Sequence, residues 1–361
     1  MDFTLIITSR CQLDCSYCYA KPHSSISMDY KTAVKAIDFA FDHTKSELQL
    51  GFFGGEPLLE FELIKSLVEY SEFKRKETGK NVFFKLTTNG LALTEEIARY
   101  LTDNQFFMAV SLDGSPDSHN SCRTLPGGGP SHTDCYKGIN ILRKFIPDVE
   151  VIFVISKNNS EYLYEGIYWL VENNFTNISL NFDYSSDWGS SSLDVLTHQM
   201  ELITDLYISQ MRKEKPVELS FITSKIRTHL NGGYRSCDKC RFGLEELAVT
   251  PSGNIYPCER LAGGDPEEMK IGSLDTGIAP EKLLWLQNTH GYVVNEDCSE
   301  CGVSTRCANW CHCVNFTLTG NINVTDGIVC FWEKLCIELA DKAGEILFKE
   351  QNQVFIRTFY Q

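Results

Sequence analysis

An α/β fold built on a parallel sheet is what this sequence predicts, on three observations. From residue 3 to about residue 183, short apolar runs alternate with amphipathic segments, the pattern of strands joined by right-handed crossover helices. Polar stretches rich in Cys or Gly follow several of the apolar runs, where open α/β sheets place their ligand crevices. From Cys237 onward the texture changes to a cysteine-rich segment. Six β/α units fit in the first 180 or so residues, fewer than the eight of a full barrel. The expectation is a partial (β/α)6 TIM-like barrel followed by a cysteine-rich C-terminal domain.

The elements follow in order. Phe3-Thr4-Leu5-Ile6-Ile7-Thr8 reads as a buried strand bounded by polar residues. Ser27 caps a helix from Met28 to Thr44, with Ala33, Val34, Ile37, Phe39 and Ala40 near core spacing. Strands are expected at Leu48–Phe53, Val82–Thr87, Phe106–Ser111, Val149–Ile155 and Ile178–Phe182. Helices are expected at Leu58–Lys76, Thr94–Leu101, Tyr136–Phe145 and Leu163–Val171. Tyr184 to Ser192 is a Ser-rich loop, and Asp194–Met211 and Ile222–Leu230 have helical character. Ala248 to Cys258 reads as a β-hairpin turning at Ser252-Gly253. Trp332–Lys349 is a helix expected to pack across the barrel end. Four segments result: 1–185 as the barrel, 186–236 as a helical connection, 237–331 as the cysteine-rich domain and 332–361 as a C-terminal helix.

The 361 residues suffice to bury a full core, and 43% hydrophobic with 22% charged residues is ordinary for a globular protein. A formal net charge of −15 argues against a nucleic-acid binder, which needs a basic face. No apolar run is long enough to span a membrane, and Met1-Asp2-Phe3 does not begin a secretory signal. Fifteen cysteines without such a signal point to metal ligation in a reducing compartment, the cytoplasm.

Cys11, Cys15 and Cys18, spaced C-x3-C-x2-C, stand just beyond the first strand. Three thiolates can hold three irons of a four-iron cluster and leave the fourth open to a small molecule; a zinc site or three buried thiols are the plainer readings. The spacing, with Tyr17 and Tyr19 flanking the third cysteine, resembles the signature of the radical S-adenosylmethionine (SAM) enzymes. In that family the open iron binds the amine and carboxylate of SAM. One electron then cleaves SAM into methionine and a 5′-deoxyadenosyl radical, which abstracts a hydrogen atom. The partial barrel is also usual there. Gly54-Gly55-Glu56-Pro57 resembles the family's GGEP motif, whose backbone and carboxylate meet the SAM amine; by themselves its glycines allow close backbone approach to a ligand. Thr88-Asn89-Gly90 is similar to the TNG turn and Ser111-Leu112-Asp113-Gly114 to the SxDG stretch. The resemblance puts Thr88, Asn89, Ser111 and Asp113 at the SAM ribose or carboxylate. His119 and Arg123 match an HxxxR of peptide-modifying members, Arg123 being placed to meet a carboxylate. The glycine-rich loop Leu125–His132 is a lid or a surface excursion.

Cys298-x2-Cys301-x5-Cys307-x3-Cys311, followed by Cys330 and preceded by Gly253-x4-Cys258, resembles the SPASM domain, which holds two further [4Fe-4S] clusters. The resemblance implies that Cys237, Cys240, Cys258 and Cys311 hold an inner cluster, and Cys298, Cys301, Cys307 and Cys330 an outer one. Cys122, Cys135, Cys313 and Cys336 remain, and Cys313 is close enough to Cys311 to replace a ligand. Paired C-x2-C units also form zinc sites.

Two enzymatic readings and one other follow. SPASM proteins mostly modify peptides or proteins. One group forms thioether or carbon–carbon crosslinks in ribosomally made peptides; the other, the anaerobic sulfatase-maturing enzymes, oxidises Cys or Ser to formylglycine. The second group places a basic Asp after the cysteine of the YPC stretch, where this chain has Tyr256-Pro257-Cys258-Glu259-Arg260. Glu259 is one methylene longer and is either a base or a surface carboxylate paired with Arg260, which favours the crosslinking reading. The expected partners are a peptide or protein substrate, an electron donor such as flavodoxin or ferredoxin, and a separate leader-peptide-binding protein if a leader is read at all. The third reading is an iron–sulfur or zinc protein for electron transfer or sensing.

Overall fold

The computed structural model describes residues 1–289 and 296–360; residues 290–295, inside the segment assigned to the cysteine-rich domain, and residue 361 lie outside the described residues. The chain opens with β1 (Asp2–Thr8), buried from Phe3 to Thr8. Burial on both faces is the mark of a parallel strand covered by helices on one side and packed residues on the other. There follow α1 (Tyr30–His43), β2 (Glu47–Gly54), α2 (Phe61–Thr78), β3 (Asn81–Thr88), α3 (Glu95–Asp103) and β4 (Phe107–Ser111). Next come α4 (Pro116–Asn120), α5 (His132–Arg143), β5 (Glu150–Ile155), α6 (Leu163–Glu172) and β6 (Asn177–Phe182). After these stand α7 (Ser190–Arg212), β7 (Glu218–Leu219) and α8 (Ser220–Leu230), then β8 (Glu246–Val249), β9 (Asn254–Tyr256), β10 (Gly272–Ser273) and β11 (Gly277–Ile278). The chain finishes with α9 (Pro280–Thr289), α10 (Glu296–Ser299), α11 (His312–Thr319), α12 (Gly327–Lys349) and α13 (Gln353–Tyr360).

One sheet carries these strands in the order β11-β10-β9-β8-β1-β2-β3-β4-β5-β6-β7. Strands β1 to β6 run parallel in chain order, so every β-to-α loop opens at the same end of the sheet. The six expected β/α units are present. The cysteine-rich segment joins the same sheet: β8 pairs parallel with β1, from Asp2↔Glu246 to Leu5↔Val249. β9, β10 and β11 then add antiparallel. This parallel docking seats the cysteine-rich segment on the sheet edge at β1, with Cys258 just past β9.

Several boundaries differ from expectation for local reasons. The cap of α1 is Asp29, whose carboxylate accepts from Thr32 N at 2.7 Å. Ser27 instead bonds Glu60 at 2.6 Å and Thr8 at 2.9 Å, closing the loop after β1. The expected helix from Leu58 is preceded by a 3-10 turn, Pro57–Glu60, before α2 begins. Helix α12 starts at Gly327, capped by Asp326, so Cys330 lies in its first turn. It packs on α7 and α8, and Trp332 stacks on Phe182 at the end of β6, with centroids 4.7 Å apart. Leu125–His132 is no long lid: Leu125 N bonds Gly129 O at 2.8 Å and Thr124 bridges to Pro130 in a tight turn.

Candidate active site

The loop carrying Cys11, Cys15 and Cys18 leaves the end of β1, and the loop after β2 is built directly against it. Gly55 N donates to Thr8 O at 2.8 Å and Glu56 N to Arg10 O at 2.7 Å. A Cβ on Gly54 would lie 2.1 Å from Thr8 O, and one on Gly55 2.1 Å from Arg10 O. No side chain fits in either place, and Gly54 has φ +139° besides. The sequence suggested that these glycines make room for a ligand; the structure uses them first to seat two loops against each other.

Glu56 is the buried tie of this arrangement. Its Oε1 accepts from Leu58 N at 3.1 Å and Thr88 Oγ1 at 2.8 Å, and its Oε2 from Asn89 N at 2.8 Å. A carboxylate has about four acceptor positions, so roughly one is left for a ligand. Burial pushes the Glu56 carboxyl up to about 7 against these hydrogen bonds, which act the other way. Asn89 continues the chain of contacts: its Nδ2 lies 3.8 Å from Cys11 Sγ and 3.4 Å from Gln12 Oε1.

A second buried network anchors Tyr17, the residue before the third cysteine. Tyr17 Oη donates to Asp113 Oδ2, and Arg123 meets the same carboxylate through Nε at 3.0 Å and Nη2 at 3.1 Å. Asp113 Oδ1 also accepts from Val154 N at 2.9 Å. The Arg123 guanidinium stands 5.3 Å from the Tyr17 ring centre. Burial works against the Arg123 charge, while Asp113 holds it on. His119 completes the set. Its Nδ1 accepts from Asp113 N at 3.3 Å, which leaves Nε2–H to donate to Ser131 Oγ at 3.0 Å. That tautomer follows from the network, and burial followed by the Arg123 charge keeps the ring neutral. Asp113, placed at the SAM rim by resemblance, is thus fully buried and anchors Tyr17 and Arg123.

These elements enclose a cavity of about 680 Å³ lined by Cys11, Cys15, Cys18, Tyr17, Gly54, Gly55, Glu56, Pro57, Thr88, Asn89, Ser111 and Arg123. Burial pushes the Cys11 thiol up to about 11 and Cys15 to about 12, and also raises Cys18. Three thiols on one wall, with Leu13 N 3.4 Å from Cys11 Sγ, fit a cluster that replaces their protons. Glu259 and Arg260 line the same cavity. Tyr19, which the sequence marked only as part of the cysteine signature, stacks on Phe53 (6.0 Å) beneath Arg260 (4.8 Å to the ring centre). Its only local signal was its place after Cys18. Among the described residues Arg260 forms no ion pair, so of the two readings of Glu259 the surface pair with Arg260 is absent there.

The C-terminal cysteines fall into two groups. Burial, then the charge of Cys298, raises the Cys330 thiol, and Cys301 adds to this; the Cys307 thiol, pushed up to about 12 by burial and Glu333, also feels Cys330. The other group has Cys258, Cys311 and Cys313 in contact, with Cys240 nearby. Cys237 is exposed, its Sγ 3.7 Å from Asp238. Cys122, Cys135 and Cys336 are buried. Among the described residues no three Cys, His, Asp or Glu side chains close on one point as the ligands of a single ion do; in a cubane each thiolate binds a different iron.

A parallel β/α sheet with three thiols in the first loop and a glycine-seated carboxylate in the second defines the class. Residues 5–168 match the Radical SAM superfamily, and the chain belongs to that superfamily: it is a radical SAM enzyme. The uncharacterized protein MJ0907 of Methanocaldococcus jannaschii is 32% identical over 267 residues, covering 72% of this chain and 85% of that protein. The cysteine-type anaerobic sulfatase-maturating enzyme of Clostridium novyi (strain NT) is 24% identical over 371 residues, covering 95% and 97%. Native anSMEcpe with bound AdoMet has a TM-score of 0.78 at 18% identity, covering 96% of this chain and 99% of that one. Streptococcus suis SuiB bound to precursor peptide SuiA has a TM-score of 0.62 at 18% identity, covering 91% and 75%. The enzyme is therefore related to sulfatase maturases and to peptide modifiers, and the structural likeness shows the shared α/β fold. No helix among the described residues is long and apolar enough to cross a membrane.

Proposed function

We propose that this enzyme modifies a peptide residue by removing a hydrogen atom, and that it forms a thioether or carbon–carbon crosslink in a ribosomally made peptide. The observation that carries the reading is Glu259 and Arg260 on the wall of the cavity that Cys11, Cys15 and Cys18 also line. Those three cysteines would hold a [4Fe-4S] cluster, which supplies the electron that cleaves SAM and so the radical that takes the hydrogen. Glu56 offers its remaining acceptor position to the SAM amine, and the backbone of Gly54 to Pro57 forms the floor beside it. Thr88, Asn89 and Ser111 stand at the rim, while Asp113 fixes Tyr17 and Arg123. Glu259 takes the proton that the substrate loses, and Arg260 orients a carbonyl or carboxylate of the peptide. The C-terminal cysteines would hold two auxiliary [4Fe-4S] clusters, and reduction calls for an external donor of the flavodoxin or ferredoxin kind.

Formylglycine formation is the second reading, favoured by one observation: Glu259 lines the cavity, as a base for a substrate Cys or Ser must. Product mass separates the two. The reconstituted enzyme is given a sulfatase-type peptide and, separately, a short Cys-rich peptide encoded nearby. Loss of two hydrogens with all side-chain atoms retained marks the crosslink, and conversion to an aldehyde marks formylglycine. A positioned base contributes about 10²–10⁴ in rate. Glu259→Gln should slow crosslinking without abolishing it; aldehyde formation that vanishes in this variant would overturn the preference.

A further inference from the structure

Four thiols gather where the β8–β9 hairpin meets α11, and they are not the four that the spacing pattern suggests. Cys311 Sγ and Cys313 Sγ are 3.6 Å apart. Cys313 also shares a hydrogen bond with Cys258, and Cys240, whose Sγ donates to Glu246 Oε2 at 2.7 Å, lies within electrostatic reach of Cys311 and Cys313. Cys258 and Cys313 are only 8% and 7% exposed. Residues two apart on a helix do not face each other. Here Cys311 is the N-cap of α11, with φ −75° and ψ 86°, so its side chain is free of the helical direction and turns toward Cys313. Cys237 stands apart. It lies in the 3-10 turn Ser236–Asp238, which Arg235 and Asp238 lock by a two-point ion pair, and it is exposed.

We propose that the inner auxiliary four-iron centre is held by Cys240, Cys258, Cys311 and Cys313, and that Cys237 is a free surface thiol. The inference rests on the auxiliary centres of the proposed function and changes their ligand set. Each thiol gives its proton to solvent as its sulfur bonds one iron, with no change in iron valence. A cubane with four thiolates is anionic, and its surroundings suit that charge. The Val314 backbone N–H in the first turn of α11 faces Cys311, and the Arg260 charge acts on Cys258, Cys311 and Cys313. Beside Cys237, Arg235 is already paired with Asp238.

The test uses the full chain, reconstituted anaerobically with equal amounts of ferrous and ferric iron and with sulfide, with iron, sulfide and the reduced-state electron paramagnetic resonance spectrum as readouts. Cys237→Ala should retain the parent's iron. Cys313→Ala should lose one cluster of three, roughly a third of the iron and sulfide, together with one spectral component. A readout on the unmutated protein does not depend on how the variants fold. Iodoacetamide added to the loaded enzyme should label Cys237 fully, as read by peptide mass. Protection of Cys237 that disappears on removing iron would overturn the assignment, as would loss of a cluster in Cys237→Ala or full iron in Cys313→Ala. A parent that takes up only the iron of the Cys11–Cys18 loop would overturn the auxiliary centres themselves.

Discussion

Two buried carboxylates, Glu56 and Asp113, do most of the local organising, and they do it in opposite ways. Glu56 is held by hydrogen bonds without a cation, and burial raises its carboxyl from 4.5 to about 7. Because the folded value lies above the unfolded one, the folded protein binds more protons between about pH 4.5 and 7, and stability falls as pH rises through that window. The shift corresponds to roughly 3 kcal/mol. Glu56→Gln should therefore remove a loss of about that size between pH 5 and pH 8, read by anaerobic urea unfolding; equal slopes in both proteins would refute it. The same variant should weaken SAM binding about tenfold or more, since a charge-assisted hydrogen bond contributes about 1.5–3 kcal/mol. Asp113 is paired instead. Arg123→Ala leaves its carboxylate buried without a cation and should cost about 3–5 kcal/mol by the same unfolding assay. Tyr17→Phe removes only one donor and should cost about 1–3 kcal/mol. The HxxxR spacing made His119 and Arg123 visible in the sequence. Their pairing with Asp113 was not, because nothing local says that Arg123 turns inward to it.

At the level of elements, the site depends on how closely the loops after β1 and β2 approach. With Arg10 O 2.1 Å from where a Gly55 Cβ would stand, Gly55→Ala must push the two loops apart. Overpacking of this kind costs about 1–3 kcal/mol. The expected result is a lower Tm and less iron on the Cys11–Cys18 loop, while alanine at Gly79, whose Cβ meets nothing within 4 Å, leaves the iron unchanged and pays only for its left-handed backbone. Retention of full iron in Gly55→Ala would show that the loops can separate without harm. Strands and long helices were legible from their apolar period. The caps of α1 and α12 and the short strands β7, β10 and β11 were not, because two or three residues carry no period and a cap depends on which of several polar residues reaches the first turn.

Across the whole molecule, α12 ties the two halves together. Glu333 accepts from Lys225 Nζ on α8 at 2.7 Å and from Ala308 N at 2.6 Å, next to Cys307. Arg306 adds a two-point pair with Asp341 at 2.8 and 2.6 Å. Lys225→Met strands Glu333 and should cost about 3–5 kcal/mol, largely restored by adding Glu333→Leu, with Tm as the measure; a double variant no better than the single would show that the pair does more than balance charge. The sequence by itself determined the class of enzyme, the six β/α units and the Cys11–Cys18 and Gly54–Pro57 loops, because each is a local pattern whose residues are neighbours in the chain. It also marked Glu259 as a candidate. Tertiary structure alone decided that β8 runs parallel to β1 and brings Glu259 and Arg260 to the first loop's cavity. It also decided that Asp113 faces inward and that Cys313, rather than Cys237, stands with Cys258 and Cys311. Pairing between distant segments is set by how sheet and helices bury their faces together, and spacing along the chain does not encode it.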